Sequence, residues 1–262
     1  MSDIDIRNNL AAVKRHIHDC AVRSGRVPDE ITLVAVSKTR SLDEVRRAID
    51  AGQIDFGENT VQDALSKIPE LKGSHSQWHF IGHLQSKKAR QIPGNFHWVH
   101  SVDSLKLAQK LSSAMLNTEE DTSINCLLQV NVSAEPSKSG LNTTEVVPFI
   151  DELLQLQLPR IKWRGLMTIG VQGDDAGSRA AFSGLRSLLD QCQREFGLVE
   201  FDQLSMGMSN DYPIAIEEGS TMVRIGTAIF GERSQNITNE DTSSFSNRWP
   251  QITQKTRKEQ TI

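Results

Sequence analysis

Lys38 is the residue with the clearest chemical potential, because it follows a run of apolar residues, ITLVAV at 31–36, that predicts a buried strand. A lysine that burial and a neighbouring cation keep as a neutral amine can form an imine with a carbonyl compound. Side chains alternate along a strand, so Lys38 shares a face with Val36, as Arg224 does with Gly226 on the last predicted strand. If those faces point inward in a closed barrel, Lys38 and Arg224 meet at its mouth, where an anion or a carbonyl compound is the natural ligand.

Two glycine-containing loops carry residues that could bind a phosphate. They are SMGMSND and IGTAIFG, and they follow the last two predicted strands, where barrel proteins commonly bind phosphate. Glycines let backbone amides approach an anion, and hydroxyl groups donate to it. The candidates are Gly207, Gly226, Ser205, Ser209 and Thr227. Together with Lys38, the loops predict a phosphorylated carbonyl compound.

Two ligands fit this description: a phosphosugar, as in Schiff-base aldolases, and pyridoxal 5'-phosphate (PLP). Arg224 favours PLP, because it precedes the second loop on the inward face and could donate to a ring nitrogen that an aldolase substrate lacks. A phosphosugar aldolase would also need an acidic residue beside Lys38 for proton transfer. Lys138 competes for the imine, but it lies in a Pro-, Ser- and Gly-containing loop, where we expect it to be solvated.

The elements that must position these residues alternate between strand and helix. β-favouring runs predict eight strands, at 31–36, 54–57, 78–82, 97–101, 124–132, 161–169, 202–206 and 222–226. Segments with helical spacing lie at 41–52, 103–115, 143–156 and 178–197. Ser41 with Glu44 predicts a capping box at the first of these helices, and Gly197 predicts the end of the last.

This alternation predicts parallel strands with right-handed crossovers. It favours a single (β/α)8 TIM-type barrel with an extra N-terminal helix over an open sheet. Neither GxGxxG nor GxxxxGK[ST] occurs, which disfavours a nucleotide-binding sheet. We expect the barrel to span residues 1–232 and the polar residues 233–262 to form a disordered C-terminal tail.

Composition argues against several classes of partner. The net charge is -4 and no segment carries a basic block, so neither nucleic acid nor a membrane is an expected partner. The absence of a signal peptide or of a long apolar stretch predicts a cytoplasmic protein. The three cysteines are far apart and are expected to be reduced. The series His75, His79 and His83 crosses a predicted strand, which breaks the helical spacing of metal ligands, so no metal is expected.

Six stretches carry a resemblance to a known family. They are AVSKTR, FGENTVQ, WHFIGHLQSKK, VNVSAEPSKSG, RGLMTIG and LSMGMSNDYPIAIEEGSTMVRIGTAIFGER, in this order between about residue 5 and residue 233. In these stretches the sequence resembles the YggS/PLPBP (PROSC) family of pyridoxal phosphate homeostasis proteins. That family is similar to the N-terminal barrel domain of alanine racemase, so the resemblance implies a fold-type III PLP protein.

The resemblance also implies which residues bind PLP. It implies a Schiff base on Lys38, a ring nitrogen near Arg224 and a position beside the ring for Asn59. The phosphate-binding residues that it implies are Ser205, Ser209, Gly226 and Thr227. Of the two serines we favour Ser209 as the direct phosphate ligand, because it lies in the loop rather than on the strand.

The function that the resemblance implies is PLP homeostasis, as a reservoir or carrier with PLP-dependent apo-enzymes as recipients. An arginine at the ring nitrogen disfavours its protonation, and racemisation needs bases on both faces of the substrate carbon. In alanine racemase a tyrosine from a second domain supplies one base. We do not expect that domain here, and Tyr212, the sole tyrosine, is better placed for packing. We therefore expect a monomeric binding protein without catalytic residues; the alternative is a weak PLP-dependent amino-acid racemase.

Overall fold

The structure, a computed structural model, describes residues 5–119, 121–135 and 138–232, which fold around one parallel β-barrel. The strands are β1 (Thr32–Val36), β2 (Asp55–Glu58), β3 (Gln77–Phe80), β4 (Trp98–Val102), β5 (Ile124–Asn131), β6 (Leu141–Asn142), β7 (Ile161–Met167), β8 (Gln203–Ser205) and β9 (Met222–Ile225). All eight predicted strands are present. The additional strand, β6, pairs with the end of β5.

The barrel closes through parallel pairs around its whole circumference. Neighbours follow the chain from β1 to β5 and then through β7, β8 and β9, and β9 pairs with β1. In that last pair Val34 lies opposite Arg224, and between β1 and β2 Val36 lies opposite Gly57. The predicted closed barrel is confirmed. The ends of β9, β1 and β2 are neighbours at the carboxyl-terminal face, where such folds place their functional sites.

The α-helices of the described residues pack around the barrel. They are α1 (Ile6–Arg23), α2 (Leu42–Asp50), α3 (Val61–Leu65), α4 (Leu105–Leu116), α5 (Val146–Leu156), α6 (Asp175–Phe196), α7 (Tyr212–Glu217) and α8 (Thr227–Phe230). α2 begins with the predicted capping box, in which the Ser41 hydroxyl accepts the N–H of Glu44 and the Glu44 carboxylate accepts the N–H of Ser41. α6 ends, as predicted, at Gly197 in a left-handed conformation.

The helices that the sequence pattern did not predict are short. α3, α7 and α8 have 5, 6 and 4 residues, too few for a period of 3.6 residues to stand out. After β3 the chain forms a 3-10 helix, Ser86–Gln91, in place of an α-helix. The expected alternation of strand and α-helix is therefore interrupted at β3, while the barrel keeps its order.

The core has two parts. Inside the barrel, Leu127, Met167 and Met222 form a small apolar cluster against which Trp98 and Ile169 pack. Outside it, a larger cluster joins the strands to the helices, and the predicted extra helix α1 contributes its buried face and contacts α2, α7 and α8. Each of the three cysteines is a buried free thiol, as expected.

Two further expectations concern a membrane-spanning helix and the C-terminal tail. In the ranges that the structure describes, no helix is long and apolar enough to cross a membrane. The polar tail expected at 233–262 lies outside the described residues.

Gly82 follows β3 and packs against the backbone that follows β2. A Cβ at Gly82 would lie 2.0 Å from the carbonyl oxygen of Asn59, so Gly82→Ala forces the two segments apart. We expect the free energy of unfolding to fall by about 1–3 kcal/mol, measured by urea denaturation.

Gly184→Ala, inside α6, is the matched control. Its Cβ would meet Val132 Cγ1 at 3.3 Å, an atom of a side chain that can shift. Alanine also favours a helix interior by about 1 kcal/mol over glycine. This variant should therefore be as stable as the wild type or more so, and equal stabilities of the two variants would contradict the prediction for Gly82.

Candidate functional site

The turn at 37–40, directly after β1, carries Lys38 at the carboxyl-terminal face of the barrel. Thr39 has a φ of 63°, a left-handed conformation that β-branched residues rarely adopt. Its N–H donates to Asp63 Oδ2 (2.7 Å), and the N–H of Arg40 donates to the carbonyl of Ser37 (3.0 Å). A conformation that costs about 1–3 kcal/mol persists where its surroundings impose it. The turn is therefore held in place by its neighbours, with Lys38 half-buried.

A group of polar and charged side chains lies against this turn, and we name it the Lys67 cluster (Ser37, Glu58, Asp63 and Lys67). Lys67 Nζ donates to the carbonyl of Ser37 (2.8 Å) and to Glu58 Oε1 (2.9 Å). The same Nζ lies 2.9 Å from Asp63 Oδ1. Ser37 Oγ donates to Glu58 Oε1 (2.7 Å). The cluster thus ties the turn to the end of β2 and to α3.

Burial shapes the titration of the two acids in the cluster. It raises the pKa of Glu58 to about 7, although Lys67 and Ser37 oppose the shift. Burial also acts to raise the pKa of Asp63, but the bonds from Lys67 and from the N–H of Thr39 outweigh it and lower that pKa below its usual value. Asp63 is therefore the acid that carries the negative charge toward the turn.

Arg40 ties the other side of the turn to α8. Its Nη1 donates to the carbonyl of Phe230 (2.9 Å), and its Nη2 donates to the carbonyl of Gly231. Carbonyl groups at the end of a helix lack partners within it, so the arginine satisfies acceptors that would otherwise need water. The turn is thus bound both to the segment after β2 and to the helix after β9.

Arg224, on β9, lies inside the barrel and is 5% exposed. Nη1 donates to Ser205 Oγ at the end of β8 (2.6 Å), and Nη2 donates to the carbonyl of Thr168 just after β7 (2.9 Å). Burial lowers its pKa to about 10, against the effect of Asp211, so the guanidinium stays charged at neutral pH. Two acceptors from different segments, the end of β8 and the residue after β7, fix its plane and restrict where its other N–H groups can donate.

The two candidate serines have different surroundings. Ser205 is fully buried, and its Oγ contacts both Arg224 and His100 Nδ1 (2.8 Å). Ser209 is half-buried in the loop between β8 and α7, which Asp211 steadies by accepting a backbone N–H of that loop. Ser205 therefore bonds to Arg224 inside the barrel, whereas Ser209 lies in a loop at the carboxyl-terminal face of the barrel.

Gly226 and Thr227 begin α8 directly after β9. The first N–H groups of a helix have no partner within it, and these lie at the same face as Lys38 because β9 pairs with β1. A Cβ at Gly226 would lie 3.2 Å from the carbonyl of Val36, so glycine permits the close approach of the two strand ends. Asn59, half-buried, follows β2 on the other side of β1. Lys38, Asn59, Gly226 and Thr227 thus follow three neighbouring strands.

Lys138, the competing lysine, was expected to be solvated, but its amine is bonded to protein groups instead. Its Nζ donates to Glu135 Oε1 (2.6 Å) and to the carbonyl of Gly170 (2.9 Å). The expectation was wrong because the segment after β7 approaches this loop in space, which the sequence does not reveal. Among the described residues no group of three or more His, Cys, Asp or Glu side chains is placed to hold a metal ion.

Sequence reasoning missed the residues that support the site. Asp63 and Lys67 are four residues apart, which is an ion-pair spacing on a helix, but that spacing is also typical of a solvated surface. Thr168 takes part through its backbone carbonyl, and His100 bonds to a residue from another strand. Neither role leaves a signal in the residue type.

Lys67→Met tests the Lys67 cluster. The change leaves Glu58 buried without its cation, and we expect the free energy of unfolding to fall by about 3–5 kcal/mol in urea denaturation. Combining it with Glu58→Gln should cost less than the sum of the single changes, because the two side chains are coupled. Lys72→Met, at an exposed lysine, is the control and should have an effect below about 0.5 kcal/mol. Strictly additive losses would refute the coupling.

His79 and His100 predict a loss of stability in acid. Both are fully buried, and burial lowers the pKa of each below the ordinary 6.5. Below pH 6.5 the unfolded chain therefore binds protons that the folded protein excludes, so stability is present above this pH and is lost as the pH falls. His100→Gln should reduce this pH dependence by up to about 1.4 kcal/mol per pH unit, measured by urea denaturation at each pH.

The exposed His75 provides the control for this measurement, and His75→Gln should leave the slope unchanged. Glu58, with its pKa raised to about 7, changes stability in the opposite direction over the same range. Because Glu58 is present in all the proteins compared, its effect cancels in the difference. A slope in His100→Gln equal to that of the wild type would show the prediction to be wrong.

Comparisons with known proteins connect this chain to a family. Residues 5–234 match the family model of the alanine racemase N-terminal domain. A pyridoxal phosphate homeostasis protein of Pseudomonas aeruginosa is 48% identical over 229 residues, with 87% of this chain and 96% of that protein covered. The solved structure of PipY from Synechococcus elongatus with PLP bound has a TM-score of 0.74 and 36% identity, with 87% of this chain and 100% of that chain covered.

A more distant comparison concerns the fold alone. An alanine racemase from Clostridium difficile has a TM-score of 0.65 and 16% identity, with 88% of this chain and 58% of that chain covered. The family resemblance seen in the sequence motifs is confirmed by the family model and by the identities to curated relatives. This chain therefore belongs to the family of pyridoxal phosphate homeostasis proteins, which have the alanine racemase N-terminal domain fold.

Proposed function

We propose that this protein binds PLP at the carboxyl-terminal face of its barrel and serves PLP homeostasis in the cytoplasm as a reservoir or carrier. One observation carries the proposal: the turn with Lys38 is held between the strand end that precedes Asn59 and the helix that begins at Thr227. The relatives support it, since PipY has PLP bound and the Pseudomonas aeruginosa protein is named for PLP homeostasis.

The chemistry of the residues fits the parts of PLP. PLP supplies an electrophilic aldehyde and an electron-withdrawing ring. Lys38 offers the amine that would take up the aldehyde with loss of one water molecule. Arg224 offers a fixed, charged donor to the ring nitrogen, and Asn59 lies on the other side of the turn. The phosphate would bind to the Ser209 hydroxyl and to the first N–H groups of α8.

Ser205 has a separate role in this proposal. Its Oγ accepts from Arg224 and lies 2.8 Å from His100 Nδ1, so both its donor and an acceptor site are engaged. We therefore assign direct phosphate binding to Ser209, with Gly226 and Thr227, and assign Ser205 to the support of Arg224.

We infer binding without robust turnover. A donating arginine disfavours protonation of the ring nitrogen and weakens the ring as an electron sink. Tyr212 is unsuited as a second base, because its hydroxyl contacts His16 of α1 and burial raises its pKa to about 12. The protein would act as a monomer that passes PLP to apo-enzymes. A weak amino-acid racemase is the alternative, since racemases share this barrel fold.

Lys38→Ala tests the attachment of PLP. The wild-type protein loaded with PLP should absorb near the edge of the visible range, and borohydride reduction with peptide mapping should find the label on Lys38. The variant should lose both the band and the label. Lys138→Ala is the matched control at the competing lysine and should keep both. A wild-type label on Lys138 would overturn the assignment.

Addition of D- and L-alanine to the loaded protein separates the carrier from the racemase. A carrier should activate a PLP-dependent apo-enzyme on mixing and should not interconvert the enantiomers, which chiral chromatography measures. Interconversion that Lys38→Ala abolishes would instead establish a racemase. A colourless protein to which PLP cannot be restored would exclude both functions and favour a phosphosugar ligand.

A further inference from the structure

A continuous chain of hydrogen bonds leads from Arg224 through the barrel, and we name it the Asp55 relay. Its members, each bonded to the next, are Arg224, Ser205, His100, His79 and Asp55. The successive distances are 2.6, 2.8, 2.9 and 3.0 Å. Asp55 begins β2, so the relay joins the amino-terminal end of the barrel to the proposed PLP site.

The carboxylate end of the relay, together with neutral histidines, fixes the direction of every bond in it. A guanidinium can donate but not accept, so Ser205 Oγ accepts from Arg224. The Asp55 carboxylate can only accept, so His79 Nε2 donates to it. Both histidines are fully buried, which favours their neutral forms. A neutral His79 with its proton on Nε2 accepts at Nδ1, so His100 Nε2 donates to it. A neutral His100 with its proton on Nε2 in turn accepts at Nδ1, so Ser205 Oγ donates its proton there.

The surroundings hold this arrangement in place. His79 stacks on Trp98, with the ring centroids 5.6 Å apart and an angle of 4° between the planes. Asp55 is one-quarter exposed and lines a cavity of about 380 Å³ between α1 and the barrel, where its charge acts on Lys14 of α1.

Packing alone does not require these polar residues. The apolar cluster of Leu127, Met167 and Met222 fills another part of the same interior, so apolar side chains are accommodated there. Buried polar groups cost free energy unless every donor and acceptor is satisfied. In the relay every member has a hydrogen-bond partner. A buried cation lies at one end and a carboxylate at the other, and neutral side chains connect the two charges.

We propose that the members of the Asp55 relay are positioning residues for PLP: together they hold Arg224 as a donor to the ring nitrogen, and the Asp55 carboxylate acts on Arg224 through them. The proposal rests on the proposed function. Polarisation passes along a chain of hydrogen bonds, so a carboxylate at the far end makes Ser205 Oγ a stronger acceptor. A stronger acceptor holds the guanidinium in its charged form and in one orientation.

The first test needs no PLP. Nitrogen-15 chemical shifts of the histidine side chains in the apo-protein report the position of each proton. At pH 7 His79 and His100 should both be neutral with the proton on Nε2. A proton on Nδ1 of either ring, or an imidazolium, would overturn the relay.

The second test measures PLP affinity by absorbance titration. Asp55→Asn keeps an oxygen acceptor for His79 but removes the charge, and the affinity should fall roughly tenfold. Asp29→Asn is the matched control, because it removes a carboxylate from the same cavity lining without touching the relay, and it should leave the affinity unchanged. Urea denaturation of each variant establishes that it is folded under the conditions of the titration.

A double-mutant cycle separates transmission from a merely structural effect. Ser205→Ala breaks the relay between Arg224 and His100, so adding Asp55→Asn to it should change PLP affinity by less than about twofold. Independent, multiplied losses would overturn the proposal, as would equal affinities of Asp55→Asn and Asp29→Asn. A wild-type protein that does not take up PLP would instead overturn the proposed function and, with it, the role of the relay toward PLP.

Discussion

The burial of one positive charge, on Arg224, constrains the interior of this barrel. Moving a guanidinium out of water costs several kcal/mol unless acceptors replace the water. β9 does not supply them; Ser205 at the end of β8 and the carbonyl of Thr168 after β7 do. The three strands must therefore keep the register that brings these groups together, and the polar side chains that continue from Ser205 must be satisfied in turn.

A second constraint is the left-handed backbone conformation of Thr39 in the turn that carries Lys38. A left-handed threonine at position 39 is unfavourable by itself, so the turn needs contacts on both sides. Asp63 provides the contact toward β2, and Arg40 provides the contact toward α8. The strain is thus balanced by bonds to the two segments that carry Asn59 and Thr227. A lysine in such a turn loses little further freedom when a ligand binds, which favours binding.

The sequence predicts those features that depend on order along the chain. The strands could be found because buried parallel strands are short apolar runs, and the capping box of Ser41 and Glu44 is local. The position of Lys38 and Gly226 at neighbouring strand ends could be predicted because a closed barrel dictates the pairing of those strands. The residues that support the site, such as Lys67 and His100, could not be predicted from the sequence. Lys67 bonds to a carbonyl 30 residues away and His100 to a hydroxyl 105 residues away, and neither separation has a pattern in the sequence.

Lys67 and Arg224, both buried, differ in a way that decides which of them can serve an anionic ligand. Lys67 has the carboxyl groups of Glu58 and Asp63 at 2.9 Å, and the charge of Asp63 already neutralises its own, so little field extends beyond the cluster. Arg224 bonds directly to a hydroxyl and a carbonyl, both neutral, and the carboxylate of Asp211 acts on it through its charge. The two groups bonded to Arg224 therefore leave its charge in place, at the end of the barrel where the loops after β8 and β9 could bind a phosphate. The same neutral partners that leave Arg224 costly to bury leave this end of the barrel attractive to an anion.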